Sequence, residues 1–172
     1  MAAEPLCAAR LRAVLVVAEP LLREISDADS ARQPGPGEWS PRQVIGHLID
    51  SASNNHQRFV RAALQDDLVF PGYAQVQWVA LQRYDSADWS DLLILWLAFN
   101  RHLASVMCSV PVEARLRVRA RHNLDEIAAN PPASAAEATL DYFMSDYVVH
   151  LEGHMQQILG ARWQLGASGR SA

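Results

Sequence analysis

The sequence of 172 residues contains no lysine, and all 15 of its basic residues are arginine. This absence excludes a lysine Schiff base and a lysine general base. Only two cysteines occur, Cys7 and Cys108, and they form no CxxC motif, which argues against a disulfide framework and a thiolate metal site. A glycine-rich phosphate loop is also absent, as is any pattern typical of a catalytic serine or cysteine triad.

Charge is scarce as well. Only 20% of the residues are charged, and the formal net charge is -4. Because nucleic-acid binding needs a concentrated basic surface, we expect no nucleic-acid partner. One local basic run exists, and we interpret it as a solvated surface, with an anion site as the less favoured alternative: Arg115, Arg117, Arg119 and Arg121.

No apolar run approaches the ~18 residues of a membrane span, and the first residues carry an acid where a signal peptide has positive charge. We therefore expect a cytoplasmic protein without membrane contact. Half of the residues are hydrophobic, which is typical of a folded chain. The length favours one domain over residues 1–165, and the Gly/Ser-rich tail, 166–172, is expected to be disordered.

Apolar residues recur at helical spacing in four long segments, which are 5–28, 41–67, 89–110 and 134–163. Ser40 is a natural N-cap for the second, and Ser134 with Glu137 has the pattern of a capping box for the fourth. A shorter helix is predicted over 74–84. The region 112–134 has mixed polarity and is predicted to be an irregular connection, with a short strand pair across 116–118. The pattern predicts an all-α four-helix bundle with an irregular connection before the last helix.

The last helix carries two histidines, His150 and His154, four residues apart. At about 100° per residue, this spacing leaves the side chains about 40° apart on one face, so both imidazoles can reach a single ion. A protein metal site usually needs at least three protein ligands. A third ligand is therefore required from elsewhere in the chain.

Four other histidines are available: His47, His56, His102 and His122. His56 lies about 180° around its helix from His47, so at most one of the two faces the core. His47 is flanked by Val44, Leu48 and Ser51 on the inward side and is the better inward candidate. His102 lies off the apolar stripe of the third helix, and His122 falls in the irregular connection.

Polar residues accompany these histidines on helix faces that are otherwise apolar, which suggests a shared pocket, since unpaired buried polar groups are costly. The candidates for contacts with a substrate are Asn54, Arg58, Asn100 and Tyr147. Two carboxylates, Asp50 and Asp146, are candidates to accept a hydrogen bond from a ligating imidazole.

Two motifs together are characteristic. The segment 39–51, with sequence WSPRQVIGHLIDS, and the segment 146–158, with sequence DYVVHLEGHMQQI, resemble those of the DinB-like superfamily, particularly its YfiT-like branch of metal-dependent hydrolases and thiol transferases. The resemblance covers nearly the whole chain. It implies a four-helix bundle, commonly a homodimer, with a divalent metal held by His47, His150 and His154. Many relatives have a histidine where this chain has Gly153.

The resemblance further implies nickel or zinc as the metal and, as a second reactant, a low-molecular-weight thiol such as bacillithiol, mycothiol or glutathione. We therefore predict a metal-dependent enzyme of the thiol-transferase or hydrolase type that acts on a small molecule. The alternative is a non-catalytic bundle that binds a small ligand or a protein partner and keeps the histidines for stability.

Overall fold

Four long helices form the body of the protein in a computed structural model that describes residues 3–163. They are α1 (Leu6–Arg23), α2 (Pro41–Leu64), α3 (Trp89–Ser109) and α4 (Leu140–Leu159). Shorter helical turns are Asp27–Ser30, Gln75–Leu81, Tyr84–Ser86, Val112–Leu116, Leu124–Ile127 and Ala135–Glu137. Residues 3–163 form no strand, and the predicted all-α architecture is confirmed. The tail predicted at 166–172 lies outside the described residues.

The helices pack in an order that does not follow the chain. Helix α1 packs against α3 and α4, and α2 also packs against α3 and α4. Helices α1 and α2 therefore lie diagonally across the bundle, as do α3 and α4. This order brings α2 and α4, which carry the three candidate ligands, side by side.

The start of α2 follows its sequence signal. Ser40 accepts a hydrogen bond from the Gln43 backbone N–H, and the Gln43 side chain accepts one from the Ser40 N–H at 3.0 Å, so the capping box is complete. Pro41 occupies the first helical position, where its missing N–H has no partner to lose. The beginning of α2, and with it the position of His47, is thus set locally.

The predicted start of α4 is wrong. Ser134 and Glu137 belong to a separate short turn, and α4 begins at Leu140 with Thr139 as its N-cap; the Thr139 hydroxyl accepts from the Tyr142 N–H at 3.0 Å. The reason is a tertiary contact: the Ala138 carbonyl accepts from the backbone N–H of Arg119 at 2.7 Å. The backbone of Ala138 is not helical, with a ψ of 70°, and the helix starts after it.

The connection between α3 and α4 is irregular, as predicted, but the strand pair across 116–118 is not formed. Leu116 ends a short helix. The extended contact lies elsewhere, where the Leu68 N–H donates to the Arg121 carbonyl at 2.9 Å and the Asn123 N–H donates to the Leu68 carbonyl at 3.1 Å. This single bridge holds the connection against the end of α2.

The arginine run in this connection is not a uniformly solvated surface. Arg119 is 2% exposed, and its guanidinium donates to the backbone carbonyls of Arg117, Ala62 and Ala114. The other three arginines, Arg115, Arg117 and Arg121, pair with Asp141, Asp66 and Asp67, respectively. The interpretation from sequence is therefore wrong for Arg119, which fastens the connection to α2.

Helix α3 is long and apolar enough to cross a membrane by length and composition. The sequence-based expectation missed it because polar residues such as Asn100 and Arg101 interrupt the apolar run without lowering its average much. In the bundle α3 packs against α1 and α2 and buries Trp96, Leu103 and Met107. A core helix of a bundle passes the same test, so this single helix is weak support for a membrane location.

Candidate metal centre

Three imidazoles meet between α2 and α4. The Nε2 atom of His150 lies 3.4 Å from His47 Nε2 and 3.1 Å from His154 Nε2. One ring nitrogen from each of the three residues lies within 4.8 Å of the other two. The rings are steeply inclined to one another, with interplanar angles of 66° to 86°, and are not stacked. Three nitrogen donors therefore point toward a common centre.

These separations fit a transition-metal ion. Zinc–nitrogen bonds of about 2.0–2.1 Å at tetrahedral angles place two ligand nitrogens about 3.3 Å apart, and smaller angles bring them closer. The two separations in the structure, 3.1 and 3.4 Å, bracket this value. Three protein donors with a remaining position for water or substrate are the pattern of catalytic zinc sites. His47, His150 and His154 would hold the ion.

The protonation states also suit a metal. Burial, followed by the neighbouring histidines, lowers the pKa of His47 to about 3. Burial and His154 lower the pKa of His150 to about 4, against a smaller opposing effect of Asp146. Burial also lowers the pKa of His154. All three rings are consequently neutral near pH 7, as metal ligands must be.

The tautomer of His154 is set by its neighbour. Its Nδ1 lies 2.8 Å from the Gln157 side-chain carbonyl oxygen, which can only accept, so Nδ1 carries the proton. The Nε2 atom then presents its lone pair to the centre. His47 differs, because its buried Nδ1 has no hydrogen-bond partner among the described residues. The Trp39 ring packs 5.2 Å from the His47 ring, centroid to centroid, and covers this side of the centre.

A pocket of about 120 Å³ opens beside His150. It lies between α2, α4 and the turns that precede α4. Polar side chains supply much of its wall: Ser51, Asn55, Arg58, Tyr73, Glu126 and Tyr147. A small molecule in this pocket would lie against the His150 imidazole.

The two candidate carboxylates are engaged away from the imidazoles. Asp146 accepts from the backbone N–H groups of Ala129 and Asn130 at 2.8 and 2.9 Å, and so fixes the loop that forms one wall of the pocket. Asp50 accepts from Gln82 at 2.7 Å and from the Tyr84 hydroxyl at 2.9 Å. Among the described residues neither carboxylate accepts a hydrogen bond from a histidine. Both instead hold neighbouring segments in place around the site.

The four candidates for substrate contacts are divided by the structure. Arg58 and Tyr147 line the pocket. Asn100 is fully buried behind it, where its side-chain oxygen accepts from the Tyr147 hydroxyl at 2.5 Å. Asn54 faces a separate cavity, and its amide donates to the Asp50 carbonyl on its own helix at 2.9 Å. Asn54 is therefore not placed to contact a molecule beside His150.

The wall residues that the sequence analysis missed include Asn55, Tyr73 and Glu126. Asn55 lies four residues after Ser51, and this spacing was a usable signal, since Ser51 was already placed on the inward face. Tyr73 and Glu126 come from turns, which have no periodicity to reveal a direction. Their positions depend on how the turns pack against α2 and α4.

Comparisons with known proteins agree with this fold. The structure matches that of YfiT from Bacillus subtilis, described as a probable metal-dependent hydrolase with an unusual four-helix bundle topology. The TM-score is 0.73 at 21% sequence identity, covering 93% of this chain and 86% of that chain. A comparison with curated proteins finds no match. The family model of the DinB superfamily matches residues 10–158, and the chain therefore belongs to the DinB superfamily.

Proposed function

We propose that this protein is a metal-dependent enzyme of the hydrolase or thiol-transferase type that acts on a small molecule. One observation carries the proposal: the Nε2 atoms of His47, His150 and His154 converge, with separations of 3.1 and 3.4 Å from His150, and His150 lines an open pocket. The structural likeness to YfiT, a probable metal-dependent hydrolase, supports it.

When bound, a divalent ion at this centre supplies a positive charge that lowers the pKa of a coordinated water or thiol, since three neutral imidazoles do not compensate it. The chain contributes the rest. Burial keeps the His47 ring neutral, and Gln157 holds the His154 proton on Nδ1. The pocket beside His150 positions the electrophile, which is an ester, an amide or a substrate for thiol conjugation.

Nickel or zinc is the proposed metal. Three nitrogen donors with open positions suit both ions, and the absence of carboxylate donors from the cluster, among residues 3–163, disfavours magnesium and calcium, which take oxygen ligands. A low-molecular-weight thiol is the proposed second reactant for the transferase type. A cytoplasmic location and a homodimer remain predictions, the latter open to sedimentation analysis.

Metal analysis tests the centre directly. The purified protein should contain close to one nickel or zinc ion per chain, and His150→Ala should lose it. His102→Ala is the matched control, because this exposed histidine on α3 lies outside the cluster and should leave the metal content unchanged. A wild-type protein that is free of metal and insensitive to chelators after growth with both ions contradicts the proposal.

Activity is then tested with model esters, amides and thiol-reactive electrophiles, each with and without low-molecular-weight thiols. Turnover should require nickel, zinc or manganese and should disappear with His47→Ala. A non-catalytic bundle gives the opposite pattern: His47→Ala lowers the unfolding temperature, while the metal-loaded wild type turns over none of these substrates.

A further inference from the structure

The geometry points to an anion subsite in the pocket beside the histidines. We propose that Arg58 binds the carboxylate of a small organic acid, and that Asn55 accepts a hydrogen bond from an N–H or O–H group next to that carboxylate. This inference rests on the proposed function, because it names the substrate class of the same site. The ligands that fit are N-acyl amino acids and hydroxy or amino acids.

Arg58 is a buried cation without a counter-charge among residues 3–163. Its residue is 6% exposed, yet no carboxylate lies within 4.0 Å of its guanidinium in the part of the chain that the structure describes. Within residues 3–163 its one hydrogen bond goes from Nη2 to the Pro71 carbonyl at 2.8 Å, and the guanidinium carbon lies 5.9 Å from the centre of the Phe143 ring. A buried charge is costly unless it is paired.

The other buried arginines show how this chain treats such a charge. Arg42, 5% exposed, pairs with Asp27 at 2.7 Å and also donates to Ser30 and to the Ala87 carbonyl. Arg119 donates to three backbone carbonyls. Arg58 alone of the three has a single acceptor among the described residues, although a guanidinium carries five N–H donors. Its free donors match the two oxygens of a carboxylate.

Asn55 supplies an independent observation. It is 7% exposed and lines the same pocket, where its side-chain oxygen has no hydrogen-bond partner among the described residues. The amide nitrogen donates to the Ser51 carbonyl at 2.9 Å, which fixes the orientation of the amide and leaves the oxygen as a free acceptor. A buried acceptor without a donor costs free energy that a ligand N–H or O–H recovers. The pocket therefore favours a ligand that carries a hydrogen-bond donor as well as an anionic group.

The acidic groups of the pocket do not block an anion. Both oxygens of Asp146 accept backbone N–H groups, from Ala129 and Asn130. Glu126 is exposed at the rim and accepts from the Asn123 side chain at 3.2 Å, so water screens its charge. The Tyr73 hydroxyl stays protonated, since burial raises its pKa to about 12, and is a further donor.

The test uses chelator-treated protein and N-acetylglycine, which carries both a carboxylate and an N–H. Titration calorimetry should detect binding at millimolar concentration. Arg58→Gln should weaken it by at least about tenfold, which is about 1.4 kcal/mol. The matched control is Arg61→Gln, an exposed arginine one turn further along α2, and it should change the affinity less than about twofold.

Two comparisons on the wild type keep the test decisive if Arg58→Gln does not fold. The neutral amide, N-acetylglycinamide, should bind at least about tenfold more weakly than N-acetylglycine. Inorganic phosphate distinguishes the kind of anion: binding of phosphate in place of N-acetylglycine overturns the carboxylate assignment. No binding of N-acetylglycine, equal binding of acid and amide, or equal binding by Arg58→Gln each overturns the proposal.

Failure of the anion subsite can be distinguished from failure of the proposed function. The titration is done without metal, whereas the proposed function depends on the metal content and turnover of the loaded protein. A protein that binds metal but not N-acetylglycine loses the subsite and keeps the metal centre. A protein that binds N-acetylglycine without ever holding metal keeps the subsite and loses the proposed enzyme.

Discussion

Gly46 immediately precedes the ligand His47, and replacing it by alanine tests how α2 is held at the site. An alanine Cβ at this position would lie inside van der Waals contact of the Tyr84 ring, against Cγ and Cδ2. Tyr84 is 7% exposed, and its hydroxyl donates to Asp50 at 2.9 Å. A rigid aromatic ring cannot yield as the end of a flexible side chain does. The ring must therefore move, and the hydrogen bond to Asp50 is strained or lost.

The magnitude follows from opposing effects. Alanine is better than glycine inside a helix by up to about 1 kcal/mol. Overpacking a filled core costs about 1–3 kcal/mol, and leaving the buried Asp50 carboxylate short of a donor costs about 1–3 kcal/mol more. The expected net loss for Gly46→Ala is roughly 1–5 kcal/mol, which for a chain of this size lowers the unfolding temperature by roughly 2–20 °C.

Gly153→Ala is the matched control, since it makes the same chemical change within α4. Gly153 is exposed, and an added Cβ meets no atom within 4 Å, so this variant should be more stable than wild type by up to about 1 kcal/mol. Thermal and urea unfolding followed by circular dichroism measure both variants. In a Tyr84→Ala background Gly46→Ala should become neutral or stabilising. Equal unfolding temperatures for Gly46→Ala and wild type refute the steric argument.

Three further predictions concern the site and its supports. First, the metal-free protein should lose stability as the pH falls from about 6.5 toward 3, because the unfolded chain protonates His47 in this window while burial keeps the folded ring neutral. The slope from this group is at most about 1.4 kcal/mol per pH unit, and His47→Gln should remove it in urea titrations at several pH values. Second, Asp146→Asn should loosen the pocket wall, since it puts an amide N–H against the backbone N–H groups of Ala129 and Asn130. The free energy of unfolding should fall by about 1–3 kcal/mol, and both backbone amides should exchange hydrogen faster. Unchanged exchange rates contradict this prediction. Third, Tyr147→Phe leaves the buried oxygen of Asn100 without a donor and should cost about 1–3 kcal/mol in urea unfolding, with no change in metal content.

The parts of the fold that local chemistry controls could be predicted from the sequence. The long helices followed from apolar periodicity, and Ser40 is the N-cap of α2, as its sequence predicted. The spacing of His150 and His154 fixed their common face because both lie on one helix. Each of these features depends on residues within a few positions of one another.

The sequence-based errors arose where a distant contact overrides a local signal. Ser134 and Glu137 have the right spacing for a capping box. The Ala138 carbonyl, however, accepts a hydrogen bond from the distant Arg119 N–H, and the helix begins only at Leu140. Arg119 itself was assigned to the surface, because alternating arginines look solvated when the acceptors are not known; those of Arg119 are one backbone carbonyl of α2 and two of its own connection. The partners of the Ala138 carbonyl and of the Arg119 guanidinium could not be predicted without knowing how the connection packs against α2.

The assignment of Asn54 in place of Asn55 shows the same limit at the site itself. On an ideal helix Asn54 lies about 20° to one side of His47 and Asn55 about 80° to the other, so angular distance favours Asn54. The structure reverses this order, because Ser51 and Asn55 lie on the side of α2 that meets α4, whereas Asn54 and Arg61 lie on the side that borders a separate cavity. The helix wheel gives an angle from His47 but not the direction in which the neighbouring helix lies. Arg58, about 20° from His47 toward the α4 side, borders both cavities, and that position lets one guanidinium be buried in the bundle and still line the pocket beside His150.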